Sequence, residues 1–430
     1  NERLGERLPP SLKFRLKCAG NDALHTLGRL RQGARAREHQ ATDTRLGARV
    51  KYRSSGPFVL VVDDSLPRPD RDAGSARMVA ILEALAEWSR PLFVYLSKHE
   101  WPEYERPLWD AGVETARAVN LRWLMRERSF YAAVLSRPET AEAVIGEVRR
   151  ADPRIKIVFD MVDAHFVRFG REHELTGDAE AARKAERFRK IETRVARRSD
   201  LVWCASDADA ESLSREVPGV PLEVVPTIHR LRDRGQPFEE RSGLLFLGNF
   251  RHRPNADAVH FFVREIFPAV RAAVPEAMLS VVGDEAPPDI RAHESESVKI
   301  LGYVPDLGPL FAGSRLMVAP LRFGAGIKGK IGEALAHGLP VVTTGVGAEG
   351  MGFTHGEEAL VADDPREFAQ AVVRAYTDAA LWQRLSDKGH AHVRRRFTPE
   401  VVGRVVNESL RSLGGEAERP HAARGTKRQV

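Results

Sequence analysis

At 430 residues, with 66 Lys+Arg against 60 Asp+Glu and a formal charge of +6, the chain is long enough for two cored domains and modestly basic. No run nears the roughly 20 unbroken apolar residues of a bilayer span, and the N-terminus lacks the apolar stretch of a signal peptide, so neither a spanning nor an exported chain is expected and the expected location is cytoplasmic. Cys18 and Cys204 lie far apart in no metal-ligand pattern, which points to reduced thiols.

The chain opens on Asn1 rather than a methionine, as expected of an excised piece. Residues 1–55 form a basic arm in which Lys and Arg recur from Arg3 to Arg53 with few acids. It reads as a solvated linker or as a segment for peripheral contact with an anionic membrane, such as the inner face of a bacterial membrane. Leu24, Leu27 and Leu30 share one helical face. Nucleic acid is not expected as a partner, because the arm has no interleaved aromatics. From Phe58 strands and helices alternate: strand Phe58 to Val62, a loop and a helix through Trp88, strands Leu92 to Leu96 and Ala132 to Leu135, helix Ala141 to Arg150. Strand Ile155 to Phe159, a charged helix Glu180 to Arg198, strand Leu201 to Cys204 and a last short strand at Val224 and Val225 follow. Such alternation predicts a parallel sheet covered on both faces.

Residues 229–242 are polar and aperiodic, and the domain boundary is expected there. The pattern restarts with strand Leu244 to Leu247, helix Ala256 to Val274 broken or kinked at Pro268, and strands Met278 to Val282 and Val298 to Leu301. Leu316 to Pro320 is another strand; helices Pro365 to Thr377, around Ala380 to Lys388, and Pro399 to Leu413 close the chain before a tail, 414–430, that reads as disordered. The expected architecture is α/β, two Rossmann-like doubly wound domains facing across a cleft: 56–235 and 236–398, with helix 399–413 packing back on the first. Ligands are then expected at the carboxyl ends of the strands.

The richest stretch follows the strand at Leu316. Gly324, Gly326 and Gly329 permit positive φ and close backbone approach, Lys328 and Lys330 add charge, and from Lys330 the spacing of Ile331, Ala334 and Leu335 turns helical until Gly338 and Pro340. A helix N-terminus facing such a loop suits phosphate. Glu333, nearly one turn in, suits a sugar's hydroxyls. Together they suggest a nucleotide or nucleotide sugar.

The segment GKIGEALAHGLPVVTTGVGAEGM resembles the donor signature of glycosyltransferase family 4, whose members have the GT-B fold. Leu244 to Phe397 carries the resemblance most specifically, and Val59 to Val225 more loosely. The phrases PRPDRDAGS, LSRP, DAHFVR, PNADAV and GAGIKGKI resemble a bacterial branch associated with surface polysaccharide assembly. The resemblance implies retaining transfer from a nucleotide diphosphate sugar, such as a UDP- or GDP-sugar, to a glycan or lipid-linked acceptor, with no metal or other cofactor. Glu333 would hold the ribose; Lys330, Lys328 and the Ile331 amide would hold the diphosphate. Tyr303 and Val304 would meet the base through backbone groups, and Gly74 would lie in a first-domain loop over the diphosphate and sugar. Two departures stand out. The family's first glutamate position is Ala325, so backbone amides of Gly324 to Gly326 would replace its sugar contact. The usual arginine after the first strand of the second domain is Asn249, with Arg251 or Arg253 as substitutes.

Asp163 and His165 follow a strand end, on a loop, and suit orienting an acceptor hydroxyl or taking its proton; Arg168 lies beside them. Ser136 and Arg137 also follow a strand, and Arg137 suits a phosphate or an acidic acceptor. The pairs Asp70/Asp72, Asp207/Asp209 and Asp363/Asp364 read as helix starts and not as metal ligands. Two other functions fit the pattern: a nucleotide-sugar epimerase of the same fold, and a non-catalytic nucleotide-sugar-binding module of an assembly complex.

Overall fold

The computed structural model describes residues 50–97, 101–117 and 121–414. The arm before residue 50, with Cys18 and the Leu24/Leu27/Leu30 face, and the tail after residue 414 lie outside them. Among the described residues no helix is long and apolar enough to cross a membrane. Cys204 is buried and free, and burial pushes its thiol pKa up.

The first sheet has seven strands, all parallel: β1 (Phe58–Asp63), β2 (Arg90–Tyr95), β3 (Glu114–Arg117), β4 (Phe130–Ser136), β5 (Lys156–Asp160), β6 (Leu201–Cys204) and β7 (Leu222–Val224), in the order β3-β2-β1-β4-β5-β6-β7. Alternation within β1 shows why it is central. Val59 and Val61 pack with Phe93 and Trp203 on one face, and Leu60 and Val62 with Leu92 and Phe159 on the other. Helix Ala73–Ala86 starts where the Asp72 carboxylate accepts from the Ser75 amide (2.8 Å). Ser206 likewise caps helix Asp207–Glu216 and Asp364 caps helix Pro365–Thr377, so these acids stand at helix starts. The last helix, Pro399–Leu413, lies on helix Ala73–Ala86, tied by Trp88 Nε1 donating to Asn407 Oδ1 (2.7 Å) and Trp203 Nε1 donating to Ser409 Oγ (3.0 Å).

The second sheet has six strands: β8 (Leu244–Leu247), β9 (Leu279–Val282), β10 (Val298–Gly302), β11 (Leu316–Ala319), β12 (Val341–Thr343) and β13 (Leu360–Val361), in the order β10-β9-β8-β11-β12-β13. The helix expected through Pro268 is three pieces: Arg253–Phe261, a π-helical turn Phe262–Ile266, and Phe267–Ala273. Proline has no N–H to give the preceding turn, and the wide π turn absorbs that loss.

Several elements were not expected from the sequence. Helix Pro102–Asp110 buries only Leu108 and contains Pro107, and edge strand β3 buries an acid, Glu114, under Tyr52 (2.5 Å) and Arg128. Helix His165–Thr176 occupies what was read as loop, with only Phe166 and Glu172 buried, too few to set a 3.6-residue period. The helix placed around Ala380 to Lys388 extends over Ala379–Arg396. The polar stretch 229–242 crosses between the sheets but is not loose. Arg241 is 1% exposed and donates to the Phe311 (2.9 Å) and Ser314 (3.1 Å) carbonyls, and burial lowers its pKa to about 10.

Candidate active site

In each sheet the strand order reverses once, between β1 and β4 and between β8 and β11. Loops leaving these strands diverge there and open a crevice. Most of the predicted site residues gather at the two crevices, which face each other.

On the second-domain side, β11 ends and the chain turns through Gly324 (φ 146) and Gly326 (φ 68) into helix Gly329–Ala336. Lys328 is the N-cap and offers no side-chain capping bond. Its ammonium folds back to donate to the carbonyls of Ala325 (3.2 Å) and Gly326 (2.5 Å). Lys330 crosses the crevice to donate to Asn255 Oδ1 (2.5 Å), with its ammonium 4.7 Å from the Phe246 ring centre. Burial brings the Lys328 pKa down to about 8, with Glu349 and Asp209 opposing; burial and then the neighbouring Lys328 bring Lys330 to about 7. Both cations are therefore poorly solvated; Lys328 has Glu349 and Asp209 near it, whereas among the described residues no acid offsets the burial of Lys330. Glu333 is flanked by two imidazoles, His229 Nδ1 at 3.2 Å and His337 Nε2 at 3.6 Å. Burial works against its charge, but the two histidines outweigh it and hold its pKa at about 2.

On the first-domain side, β5 ends in a three-residue turn closed by the Asp163 amide donating to the Met161 carbonyl (2.8 Å), with Val162 at φ 67. A β-branched residue there costs about 1–3 kcal/mol, strain of the kind that gathers at functional sites. Asp163 meets His165 Nδ1 (3.2 Å) and Arg168 Nη1 (2.9 Å), and His165 Nδ1 also meets Glu192 Oε1 (3.1 Å). Burial pushes the Asp163 carboxyl up, but His165 and Arg168 outweigh it and hold it below the usual range. Burial disfavours the His165 cation, yet Asp163 and Glu192 keep its pKa raised. Both nitrogen roles follow: Nδ1 is committed to carboxylates, so proton exchange falls to Nε2.

The halves touch. A Cβ on Gly326 would lie 3.1 Å from Asp163 Cβ, and one on Gly329 would lie 2.5 Å from Ala73 Cβ. Arg171, from helix His165–Thr176, donates to the Gly324 carbonyl (2.8 Å) and grips Glu349 through Nη1 and Nη2 (2.7 and 2.8 Å). Ala325 packs on apolar residues of the first domain.

The remaining predicted residues divide. Arg137, at φ 68, donates to Asp63 Oδ1 (2.8 Å) beside Gly74, whose added Cβ would lie 3.6 Å from its guanidinium. Tyr303 is 38% exposed, donates to Asp70 (3.2 Å) and is covered by Arg71 at 4.0 Å; Val304 follows it, partly buried. Three expectations need correction. Ser136 is fully buried and its hydroxyl is spent on Asp160 Oδ2 (3.0 Å), itself paired with Arg77 (2.9 Å). The Ile331 amide donates to the Lys328 carbonyl (2.8 Å), because the helix opens with a tight turn. Arg251 is exposed and its guanidinium is spent on Glu285, while Arg253 turns to Glu172 (2.7 Å) and Asp178 (3.0 Å). Among the described residues no group of acids, histidines and cysteines could hold a metal ion.

Known proteins resemble this arrangement. The structure of HepE from Anabaena, in complex with UDP and glucose, superposes with a TM-score of 0.64 at 14% identity, covering 83% of this chain and 100% of that one. The chain has the GT-B fold. Residues 241–378, most of the second domain, match the family "Glycosyl transferases group 1". Among curated proteins, an uncharacterized 44.6 kDa protein in the cps region of Klebsiella pneumoniae is 26% identical over 168 residues, 37% of this chain and 43% of that one. A putative glycosyltransferase, YtcC of Bacillus subtilis, is 33% identical over 84 residues, 19% and 21%. The chain thus spans less than half the length of either curated relative. The family match thus bears on the second domain, and the shared fold on both.

Sequence reasoning missed Asn255, His229, His337, Arg171, Glu349 and Glu192 as members of the site. Asn255 lies inside PNADAV, a phrase already marked by the resemblance, and His337 stands four residues after Glu333, a helical neighbour; these two signals were present. Nothing local marks the others.

Proposed function

We propose that the chain is a retaining, metal-independent glycosyltransferase that moves a sugar from a nucleotide diphosphate sugar to an acceptor hydroxyl in cell-surface polysaccharide or glycoconjugate synthesis. The observation that carries this reading is the pair of desolvated ammoniums, Lys328 and Lys330, at the uncapped start of helix Gly329–Ala336. Preorganised cations and helix amides suit the charge that develops on a departing diphosphate, the role a metal fills in other transferases. Glu333, one turn further, accepts from the ribose. Residues 236–398 serve as donor domain and 56–235 as acceptor domain, with Asp163 and His165 opposite the donor loop and Arg168 and Arg137 as anion contacts. Tyr303 and Val304 border the base, Gly74 leaves room over the diphosphate, and the Gly324 to Gly326 amides face the sugar in place of the side chain that Ala325 lacks. HepE was solved with UDP and glucose, and the Klebsiella relative belongs to a cps region, which is the support for the donor class and for the polysaccharide setting. The expected place is the cytoplasm, with the basic arm on an anionic membrane surface.

The test is a nucleotide and nucleotide-sugar panel on the full chain, followed by transfer assays with Lys330→Ala and Glu333→Ala. Both variants should keep the fold and lose at least hundredfold in transfer, roughly 3 kcal/mol of transition-state stabilisation. The product should retain the donor's anomeric configuration, and chelation with EDTA should leave the rate unchanged. Unimpaired turnover in both variants overturns the assignment; an inverted product or EDTA sensitivity overturns the corresponding part of it.

A further inference from the structure

His229 lies where the chain crosses from the first sheet to the second. Its ring is 5% exposed. Nδ1 stands 3.2 Å from Glu333 Oε2 and Nε2 stands 3.1 Å from Thr227 Oγ1. The threonine hydroxyl can donate to Nε2, which leaves Nδ1–H to donate to the carboxylate. The backbone is held as firmly: the His229 amide donates to the Phe397 carbonyl (2.7 Å), and the ring meets Phe397 edge-on with centroids 6.4 Å apart. Phe397 is separated by Thr398 alone from helix Pro399–Leu413, which returns to the first domain, so His229 is fixed at both places where the chain passes between the sheets. An independent feature makes room for it. A Cβ on Gly332 would lie 2.2 Å from Nε2, so the helix carrying Glu333 has a gap where the imidazole enters.

We propose that His229 is a positioning residue for nucleoside recognition: it fixes the orientation in which Glu333 accepts hydrogen bonds from the ribose hydroxyls. This rests on the reading of Glu333 as the ribose contact. A carboxylate has about four acceptor positions, so a bond from His229 leaves room for a diol. Without it the Glu333 side chain regains rotamers whose loss must then accompany nucleotide binding. Because His229 is carried by the crossing segment, recognition of the nucleoside is tied to the segment that sets how the two domains stand.

The test compares UDP and GDP with their 2′,3′-dideoxy analogues by titration calorimetry on the full chain. Wild type should prefer the ribonucleotide it binds roughly tenfold or more over its dideoxy form. Glu333→Ala should abolish that preference. His229→Ala should cut it to about twofold or threefold while leaving affinity for the dideoxy form unchanged, and His229→Asn, whose amide nitrogen can stand where Nδ1 stood, should restore it. A residue that only supports the fold would weaken both ligands alike and would not be rescued. A preference that survives Glu333→Ala overturns the ribose reading itself. A preference lost in Glu333→Ala but intact in His229→Ala overturns the role of His229. If His229→Ala does not fold, Thr227→Val decides: loss of the Nε2 partner should reduce the preference, and an unchanged preference counts against the proposal.

Discussion

Lys330→Met is expected to make the protein more stable near neutral pH while removing activity. The Lys330 ammonium has the Asn255 oxygen and the Phe246 ring as partners, and burial, then Lys328, brings its pKa from 10.5 to about 7. A folded-state pKa below the unfolded one means that the native state binds fewer protons between pH 7 and 10.5, so stability rises with pH across that window. On 1.36 kcal/mol per pKa unit, the cost of keeping this lysine folded is at most about 4 kcal/mol at pH 7 and about 2 kcal/mol at pH 9. Methionine has no charge to desolvate. It also forgoes the Asn255 bond and the ring contact, together about 1–2 kcal/mol, and whatever part of these depends on the lysine's charge is already contained in its pKa. The stability gap between variant and wild type should therefore shrink by about 2 kcal/mol from pH 7 to pH 9, some 4–8 °C in Tm for domains of this size. Scanning calorimetry of both proteins at pH 7, 8 and 9, with transfer assayed in parallel, measures it. A gap in Tm that stays constant or widens with pH refutes the reasoning, whatever its sign at pH 7.

The same lysines set a pH dependence for the donor. Lys330 at about 7 and Lys328 at about 8 are charged only below those values, and a bound diphosphate favours the charged forms, so affinity should fall roughly tenfold or more from pH 7 to pH 9. Calorimetry at pH 8 in buffers of different ionisation enthalpy should show proton uptake, and binding without it counts against the assignment. Arg171→Ala removes the grip on Glu349 and Gly324, and should raise KM for the donor about tenfold, roughly 1.4 kcal/mol, and increase the radius of gyration in solution scattering. Arg171→Lys should not restore either, since an ammonium cannot make the paired contact. Gly329→Leu places a side chain where a Cβ alone meets Ala73 at 2.5 Å, so nucleotide binding should persist while transfer drops at least tenfold; equal loss of both would point to a misfolded donor loop instead.

What could be read from the chain follows from how far each feature depends on distant residues. β8 and helices Pro365–Thr377 and Pro399–Leu413 coincide with their expected spans because each carries its own boundary: an apolar run between Gly243 and Gly248, or a proline at the first helical position after a capping residue. Helix His165–Thr176 has no such signal. It buries little, and its order comes from packing on helix Ala179–Ala196 and from Arg171 reaching across to Glu349. Edge strand β3 hides an acid whose partner, Arg128, lies in the turn just before β4, and its four residues show no apolar alternation, so nothing in it signalled a strand.

The donor loop was legible because its chemistry is local: glycines, two lysines and a glutamate within ten residues, on one strand-loop-helix unit. Its partners were not, since Asn255 is 75 residues from Lys330, His229 is 104 from Glu333, and Glu349 is 178 from Arg171. These pairs exist only because β8 and β11 are adjacent while their loops part, and because the linker and the last helix cross at Phe397. The order of strands in the sheet therefore decides which residues meet the loop, and no window along the chain contains that order. The same reasoning bears on Ala325. In the expected signature that position holds an acid facing the sugar; here its methyl lies against the first domain's apolar residues, so on the proposed function the choice of donor sugar would draw on the facing domain as well as on the loop. Asp163, held in place by a strained turn and 3.1 Å from where a Gly326 side chain would begin, is the group nearest to that task.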